Sequence, residues 1–550
     1  MINDNYIQYF ENTINENKEL NALSDYKGKT LTYGEIGSHI QILHNIFTKA
    51  GIKQQDKIAL IGGNSVNWAI TYLAAITYGA VIVPILSDFH ADDIHHIVNH
   101  SDAVFFFLSQ NHYDLIDEDQ MPNLMALINL EDFQIFYERK KLIKEPVTTL
   151  FAELLKINSS LSYTPVDFPK IENDKMAAIV YTSGTTGLSK GVMLSHNCML
   201  ANLLYARKHM PLAINNRILS FLPLAHAYGC AFEFLFPFSV GCHVTFLGKI
   251  PSPKVIIKAF SEIKPELILS VPLIIEKIYR KQLKPLISKQ PMKMMLKTPI
   301  LNSVVAKKIN DKLSSAFGNN FVELVLGGAA FSPEVEAFLR KIKFRYTVGY
   351  GMTECGPLVS YASWNEFKQA SVGRIVDWLQ VKIDSPQPDK IIGEIMVRGE
   401  SIMDGYYKNP QATKDTIEAD GWMHTGDLGI IDTDGFIYIK GRKKNMILGS
   451  SGHNVYPEEL EAKLNNMPHI LESLVIDKNG RIIALVYPAF DNIDSKDVTD
   501  PQIIALMQQN LNEINKKLPT YSKISEIKMV PEEFVKTPTN KIKRYLYAIQ

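Results

Sequence analysis

The chain has 550 residues, which is more than one hydrophobic core usually serves, so the sequence predicts two or more domains. A hydrophobic content of 46% with 21% charged residues is typical of a globular protein and excludes a disordered or fibrous one. Lysine plus arginine and aspartate plus glutamate both number 58, so the formal net charge is zero and no overall field favours binding to nucleic acid.

The cysteines and the N-terminal residues indicate a reducing, cytoplasmic compartment. Four cysteines are widely spaced without a C-x-x-C pair, and we interpret them as buried thiols in a reducing environment: Cys198, Cys230, Cys242 and Cys355. The first residues contain neither a basic leader nor an apolar signal core, so we expect a cytoplasmic location. The apolar run at 221–248 is interrupted by prolines and glycines, which predicts buried strands and a core helix instead of a membrane span, and leaves peripheral membrane contact open.

Between residues 29 and 110, apolar runs of two kinds alternate along the chain. Strands are predicted at 57–62, 80–85 and 103–108, and helices at 36–50, 68–78 and 92–99. Strands separated by helices predict an α/β fold in which parallel-rich sheets are covered by helices. From 111 to 170 the patterns weaken, and we interpret this stretch as a peripheral segment.

A hydroxyl-rich and glycine-rich stretch at 181–192 follows the apolar run 176–180. A helical pattern is predicted from Met193 onward, so the stretch is predicted to be a loop between a strand and a helix. Glycines expose backbone N–H groups, hydroxyls add donors and a lysine adds charge, so the loop predicts a polyphosphate cradle. Its candidate residues are Thr182, Ser183, Gly184, Thr185, Thr186, Gly187 and Lys190. The order is not that of a Walker loop, and an ordinary surface loop is the alternative.

A second group of candidate residues lies at 348–357. The ring of Tyr350 can stack on a purine, the hydroxyl of Thr353 can donate to a phosphate, and the carboxylate of Glu354 can hold Mg²⁺, which prefers oxygen ligands. Upstream, Gly328 and Ala329 follow an apolar strand at 321–326, where small residues let a ligand approach the backbone. A tight turn with a surface glutamate is the alternative.

Three more candidates stand near predicted strands. His226 follows an apolar strand. The alternative to a functional role is a core or loop histidine whose hydrogen bonds are satisfied within the protein. Asp427 is predicted in a tight turn flanked by glycines, where a fixed carboxylate can accept two ribose hydroxyls, although an Asx-turn would have the same pattern. Lys541 stands in a basic segment near the C-terminus, where most lysines are simply solvated.

Taken in order, these motifs resemble the AMP-forming acyl-activating superfamily, which includes acyl-CoA synthetases, luciferases and peptide-synthetase adenylation domains. The resemblance begins near residue 29 and implies a large domain at 1–440, which binds ATP and the acyl substrate, and a small α+β domain at 441–550 across a hinge. It implies a ribose contact for Arg442, a pivot at Lys444 and a coenzyme A loop containing Ser451 and Gly452.

The resemblance also implies the catalytic roles. Lys541 and Thr353 would neutralise charge on the α-phosphate, Glu354 would hold Mg²⁺, and His226 would lie beside the substrate carboxylate. In the family a glycine usually precedes the lysine, whereas this chain has Asn540, which tolerates left-handed backbone angles.

The implied reaction uses ATP to convert a fatty carboxylate into an acyl-adenylate and pyrophosphate, and then transfers the acyl group to coenzyme A with release of AMP. The segment 267–279 resembles fatty acyl-CoA synthetases and favours a long-chain fatty acid–CoA ligase. The alternatives are an acyl-AMP or acyl-ACP ligase, a medium-chain or aryl acid–CoA ligase, a peptide-synthetase-like adenylation enzyme, and a catalytically silent acyl- or nucleotide-binding protein. The sequence does not indicate an oligomeric state.

Overall fold

The computed structural model describes residues 2–139, 164–182, 189–248, 253–287, 289–290, 299–448, 453–489, 500–537 and 541–547. The strands, in chain order, are β1 (Asn21–Asp25), β2 (Thr30–Thr32), β3 (Lys57–Ile61), β4 (Val81–Ile85), β5 (Ala103–Leu108), β6 (Ala126–Asn129), β7 (Ile135–Glu138), β8 (Met176–Thr182), β9 (Lys190–Ser195), β10 (Arg217–Ser220), β11 (His243–Phe246), β12 (Leu267–Ser270), β13 (Glu323–Leu326), β14 (Tyr346–Val348), β15 (Tyr350–Gly351), β16 (Leu358–Tyr361), β17 (Arg374–Ile375), β18 (Leu379–Asp384), β19 (Gly393–Gly399), β20 (Gly405–Tyr406), β21 (Met423–Ile431), β22 (Ile437–Arg442), β23 (Ile447–Leu448), β24 (Asn454–Val455), β25 (Ile470–Lys478), β26 (Arg481–Pro488) and β27 (Glu526–Met529).

The α-helices are Tyr6–Glu16, Tyr33–Ala50, Val66–Tyr78, Ala91–Ser101, Gln110–Tyr113, His196–His209, Ala227–Gly229, Phe236–Val240, Pro253–Ile263, Pro272–Ile278, Lys284–Ile287, Pro299–Ala316, Pro333–Lys341, Pro410–Thr416, Pro457–Leu464 and Pro501–Asn515. Two π-helical segments, Cys230–Leu235 and Tyr279–Leu283, continue the helices that precede them.

An eight-stranded sheet in the order β20-β9-β8-β4-β3-β5-β6-β7 forms the centre of the fold. Its strands from β8 to β6 run parallel, because helices connect successive strands and return the chain to the same edge. Local sequence fixes where these helices begin and end: Thr32 and Glu35 form a capping box, and Gly51 ends the same helix at a φ of 92°. The α/β alternation predicted for residues 29–110 is confirmed.

A second sheet, in the order β10-β11-β1-β2, joins distant parts of the chain. In it β1 pairs in parallel with β11, with Leu23 opposite Val244, while β2 pairs antiparallel with β1. The N-terminal helix Tyr6–Glu16 buries Phe10 and Ile14, and the Phe10 ring lies 6.3 Å from that of Phe238. Residues before position 29, where the sequence showed no resemblance, are therefore part of the same core.

The buried apolar residues fall into separate clusters. One large cluster extends from Ile2 to Ile437, and two smaller ones lie between Ile447 and Phe534. We call the residues up to the end of β22 the N-terminal unit and those from 443 onward the C-terminal unit. The boundary predicted at residues 440 and 441 falls inside β22.

Three predictions of local structure were wrong. The helix predicted from Met193 begins at His196, because residues 190–195 pair with β8 as the antiparallel strand β9 before Ser195 caps the helix. The cradle loop therefore joins two strands of a hairpin. The stretch 111–170 is more than a peripheral segment, since β6 and β7 extend the central sheet. Asp427 lies within the strand β21 and not in a turn.

The apolar run at 221–248 is helical from Ala227 to Val240 and then enters β11, which agrees with buried elements. Within the described ranges, no helix is both long enough and apolar enough to cross a bilayer. The four cysteines are buried free thiols, as predicted.

Candidate active site

Asp427 contacts two other candidate nucleotide-binding residues, Arg442 and Tyr350. It faces Arg442 across the pairing of β21 with β22, and Arg442 Nε lies 2.7 Å from Asp427 Oδ1. The Tyr350 hydroxyl donates to Asp427 Oδ2 at 2.6 Å. Burial raises the pKa of the Asp427 carboxyl, while the charge of Arg442 and the Tyr350 hydroxyl act in the opposite direction. The structure thus holds a buried carboxylate in a fixed orientation.

The segment that carries Thr353 and Glu354 is a single turn of 3₁₀ helix, Thr353–Cys355, ended by Gly356 at a φ of 60°. The chain doubles back so closely that a Cβ at Gly351 would lie 2.2 Å from the carbonyl oxygen of Pro357. Asn202 clamps the turn from the neighbouring helix, since its Nδ2 donates to Cys355 O at 3.0 Å and its Oδ1 accepts from Leu358 N at 2.8 Å. This packing fixes the positions of the Thr353 and Glu354 backbones.

Tyr406 connects Glu354 with the cradle loop. Its hydroxyl donates to Glu354 Oε1 at 2.9 Å, and the Lys190 ammonium lies 4.7 Å from the centre of its ring. The pairing of β20 with β9 brings Tyr406 beside the strand that starts at Lys190. Sequence analysis did not identify Tyr406.

Two of the seven predicted cradle residues lie within the described ranges. Thr182 and Lys190 are opposite each other at the ends of β8 and β9, where the hairpin loop begins. The prediction for Ser183, Gly184, Thr185, Thr186 and Gly187 lies outside the described residues.

The candidates Gly328 and Ala329 follow β13 and are exposed. Gly328 has a φ of 82°, a backbone conformation that suits glycine. Beside it, a Cβ at Gly327 would lie 3.1 Å from the ring of Tyr228, whose hydroxyl donates to Val325 O at 3.1 Å. Tyr228 therefore packs against this glycine-rich segment.

His226 lies beyond β10 at the start of a short helix, and its Nδ1 accepts from Tyr228 N at 3.3 Å. Burial, together with the positive charge of Lys541, lowers the pKa of His226 to about 4. Its imidazole is therefore neutral at pH 7. Because Nδ1 is an acceptor here, the ring proton resides on Nε2.

The loop that leads to His226 is anchored by Glu233, a second residue that the sequence analysis did not identify. Glu233 is fully buried in the π-helical segment, and its Oε2 accepts from the backbone N–H groups of Phe221 and Leu222, both at 2.9 Å. Burial raises the pKa of this carboxyl well above its ordinary value.

Lys541 brings the C-terminal unit into the same cleft. Its side chain keeps access to solvent, yet the surrounding protein and the charge of Arg442 lower its pKa, while Asp427 and Glu354 act in the opposite direction. Its backbone is held by Thr537, whose N donates to Lys541 O at 2.8 Å and whose Oγ1 accepts from Lys541 N at 3.2 Å. The structure thus brings Lys541 together with the candidates from the N-terminal unit.

The predicted hinge residue Lys444 lies just after β22, and its pKa is lowered by burial and by Arg442 and Lys541. The predictions for Ser451 and Gly452 in the coenzyme A loop, and for Asn540, fall on residues that the structure does not describe.

The fit of Mg²⁺ can be judged from the acidic residues of the cleft. In the described part of the chain, no three His, Cys, Asp or Glu side chains form a ready metal site. Glu354 supplies one oriented carboxylate, which suits Mg²⁺ because this ion is commonly held by one or two carboxylates together with substrate phosphates and water.

Behind the turn of Thr353 and Glu354 lies a small apolar cavity of about 10 Å³. Gly356 and Asn202 line the side next to the turn, and the remaining lining residues are Tyr6, Met199, Leu203, Ala231, Phe232, Leu235 and Phe236. The cavity therefore belongs to the apolar core behind the turn, and none of the charged candidate residues lines it.

An α/β unit whose cleft holds Asp427, Arg442 and Tyr350 is consistent with a nucleotide-binding enzyme. A family model described as AMP-binding enzyme matches residues 10–407, and one described as AMP-binding enzyme C-terminal domain matches residues 444–547. The chain belongs to the AMP-binding enzyme family, and the resemblance stated from its motifs is confirmed.

Individual relatives are distant but span the chain. The long-chain-fatty-acid–CoA ligase FadD15 of Mycobacterium bovis is 26% identical over 563 residues, which cover 94% of this chain and 90% of the relative. The 4-coumarate–CoA ligase 1 of Narcissus pseudonarcissus is 26% identical over 540 residues, covering 95% and 89%. Among solved structures, the anthranilate CoA ligase AuaEII in complex with anthranoyl-AMP superposes with a TM-score of 0.78 at 19% identity, covering 99% of this chain and 96% of that one. The predicted fold class is confirmed.

Proposed function

We propose that the protein is an AMP-forming acid–CoA ligase whose substrate is a fatty carboxylate, with long-chain acids as the expected class. The observation that carries the proposal is the cluster in which Arg442 Nε lies 2.7 Å from Asp427 Oδ1 and the Tyr350 hydroxyl donates to Asp427 Oδ2 at 2.6 Å. The charges of Asp427 and Glu354 also act to raise the pKa of Lys541, which belongs to the C-terminal unit. A cation beside these two carboxylates would meet the α-phosphate of a nucleotide whose ribose is bound at Asp427. The long-chain-fatty-acid–CoA ligases among the relatives support an aliphatic acyl group.

In the first half-reaction, an oxygen of the substrate carboxylate attacks the α-phosphorus of ATP, and the bond to pyrophosphate breaks. Asp427 and Arg442 would hold the ribose, with Tyr350 keeping the carboxylate of Asp427 in place. Thr353 and Lys541 would offset charge that develops at the α-phosphate, and this kind of fixed electrostatic stabilisation is a large term in catalysis. Mg²⁺, when bound, would be held by Glu354 and offset charge on the phosphates.

The neutral imidazole of His226 would orient the substrate carboxylate. Its Nε2–H is the donor, because Nδ1 is already an acceptor for Tyr228 N. A neutral donor orients the carboxylate without transferring a proton to it, so the carboxylate oxygen stays nucleophilic for the attack. Glu233 would keep this loop in position.

In the second half-reaction, the sulfur of coenzyme A loses its proton to solvent and forms a bond to the acyl carbonyl carbon, and the bond from that carbon to the AMP oxygen breaks, with AMP leaving with the electron pair. Lys444 would serve as the pivot about which the C-terminal unit turns between the two halves. A cytoplasmic location is part of the proposal, and the buried free thiols support it.

Release of AMP tests the proposal directly. Wild-type protein is incubated with Mg·ATP, coenzyme A and carboxylic acids from short to long chains, with aryl acids in parallel, beside Lys541→Ala. Lys543→Ala, a lysine in the same segment, is the matched control. We expect release that requires coenzyme A, increases with chain length and collapses only in Lys541→Ala. Preference for aryl acids would overturn the fatty-acid assignment, and release that does not require coenzyme A would favour an acyl-AMP or acyl-ACP ligase. Absence of release with any acid, despite ATP binding, would favour a silent binder.

A further inference from the structure

Asn466 forms a polar contact between the two units that does not involve the candidate hinge residue Lys444. It lies just after the helix Pro457–Leu464 of the C-terminal unit. Its Oδ1 accepts from Ser332 Oγ at 2.9 Å and from Arg280 Nη2 at 3.4 Å, and both donors belong to the N-terminal unit. One amide oxygen therefore receives a neutral and a charged donor from the opposite unit.

The orientation of the Asn466 amide is fixed by its other end. Its Nδ2 donates to Ala462 O at 2.8 Å, so the nitrogen is engaged with its own helix and the oxygen faces the N-terminal unit. Ser332 is also held in place, because it caps the helix Pro333–Lys341 and its backbone N donates to Glu276 Oε1 at 2.9 Å. The contact joins two rigid elements.

The same helix, Pro457–Leu464, connects Asn466 with the segment of Lys541. Arg544 Nη2 donates to Glu461 on this helix and lies 3.8 Å from Glu458 Oε1. Arg544 Nη1 also approaches Val475 O, at 3.5 Å. The position of the Lys541 segment is therefore tied to the helix whose end is docked on Ser332 and Arg280.

We infer that Asn466 is a positioning residue that latches the C-terminal unit in the orientation in which Lys541 faces the nucleotide site. This inference rests on the proposed function. It assigns to Asn466 a role in the adenylate-forming half-reaction alone, because a unit that turns at Lys444 to present coenzyme A must leave Ser332 and Arg280. The latch stabilises one orientation relative to the other by the contacts made only there.

The two half-reactions are measured separately to test the latch. The first is pyrophosphate exchange into ATP with a carboxylate that the wild type activates and without coenzyme A. The second is formation of acyl-CoA from supplied acyl-adenylate and coenzyme A. In Asn466→Ala we expect the rate of pyrophosphate exchange to fall about tenfold, because the variant loses hydrogen bonds to a neutral and a charged donor. We expect the rate of acyl-CoA formation to stay within about twofold of the wild-type rate or to rise.

Asn465→Ala is the matched control. Asn465 is the adjacent asparagine, and its Oδ1 accepts from Ser473 Oγ at 2.8 Å within the C-terminal unit. We expect this variant to leave the ratio of the two rates unchanged. Arg280→Ala, on the other side of the contact, is expected to lower the first rate selectively, and the double variant with Asn466→Ala to be no slower than Asn466→Ala alone, because both act through one contact.

The outcomes separate failure of the latch from failure of the proposed function. Wild-type protein that exchanges no pyrophosphate with any acid would refute the proposed function. Wild-type protein that performs both half-reactions, together with an Asn466→Ala variant in which both rates fall equally or neither changes, would refute the latch while the ligase assignment stands. A double variant whose losses multiply would also refute it, since independent effects do not arise from one shared contact.

Discussion

Tyr350 and Asp427 are both buried and share a hydrogen bond of 2.6 Å, with the hydroxyl as donor and the carboxylate Oδ2 as acceptor. Burial alone raises the pKa of Asp427, and the bond from Tyr350 is one of the interactions that act against that rise. The tyrosine thus has a role beyond the purine stacking expected from its motif, because it helps to keep the candidate ribose acceptor ionised.

Replacing Tyr350 by Phe keeps the ring and removes this donor, so the pKa of Asp427 should rise further. A protonated carboxyl is a poorer acceptor for ribose hydroxyls, and the affinity for ATP should therefore fall as the pH falls, beginning at a higher pH than in the wild type. We expect a loss of affinity of up to about tenfold that is larger at the lower pH values of the profile, measured by titration calorimetry. Tyr346→Phe, which removes a buried hydroxyl beside Glu336, is the control. Parallel pH profiles for Tyr350→Phe and the wild type would refute the assignment.

Tyr406 should control how Glu354 meets Mg²⁺. Tyr406→Phe removes the hydrogen bond to Glu354 Oε1 but keeps the ring beside Lys190. We expect the Mg²⁺ concentration for half-maximal adenylate formation to rise about fivefold, of the order of one net hydrogen bond, in a titration at fixed ATP. The neighbouring hydroxyl of Tyr407 donates to Asp102 instead, so Tyr407→Phe should leave the Mg²⁺ dependence unchanged. An equal rise in both variants would show that the effect is not specific to Glu354.

Glu233 allows a test of the loop that carries His226. Glu233→Gln keeps an oxygen that can accept from Phe221 N and Leu222 N, whereas Glu233→Ala leaves both N–H groups buried without an acceptor. Each unsatisfied group costs about 1–3 kcal/mol, so the alanine variant should unfold at a markedly lower urea concentration and show a raised KM for the carboxylate. The glutamine variant should change both quantities little. Equal effects of the two replacements would mean that the acceptor role is not what matters.

His196 should contribute to the acid sensitivity of the fold. It is fully buried, and among the residues that the structure describes neither of its ring nitrogens has a hydrogen-bond partner. Burial lowers its pKa from 6.5 to about 4, so its contribution to stability is present above pH 6.5 and is lost as the pH falls toward 4. Between pH 7 and pH 5 this amounts to about 2 kcal/mol.

The melting temperature of His196→Phe should therefore fall less between pH 7 and pH 5 than that of the wild type does, as measured by differential scanning calorimetry. The exposed His90, replaced by Gln, serves as the control and should leave the pH dependence unchanged. A wild-type-like fall in the His196→Phe variant would assign the acid sensitivity to other groups.

Much of the site could be predicted because its residues stand in short, ordered motifs. Tyr350 and Thr353 are separated by two residues, and their backbone geometry is set locally by glycines such as Gly351 and Gly356. Such motifs can be identified in a single sequence because the glycines that set the backbone geometry and the functional side chains are neighbours in the chain.

The residues that sequence reasoning missed act across long separations. Tyr406 reaches Glu354 only because β20 pairs with β9, and Glu233 reaches Phe221 only because the π-helical segment folds back over the loop. The end of β9, from Met193 to Ser195, was predicted as helix for a similar reason: its partner β8, and not its own sequence pattern, decides its conformation. The β6–β7 hairpin likewise owes its strand structure to pairing at the edge of a sheet.

The pairing of β1 with β11 has a consequence for synthesis of the chain. Leu23 leaves the ribosome long before Val244, so the parallel partner of β1 does not yet exist while the N-terminal residues emerge. During that interval β1 can pair only with β2, as a two-stranded hairpin that is marginally stable in water. The apolar surface that β11 covers in this sheet therefore stays exposed until β11 is made, and transiently exposed surface of this kind is what chaperones protect.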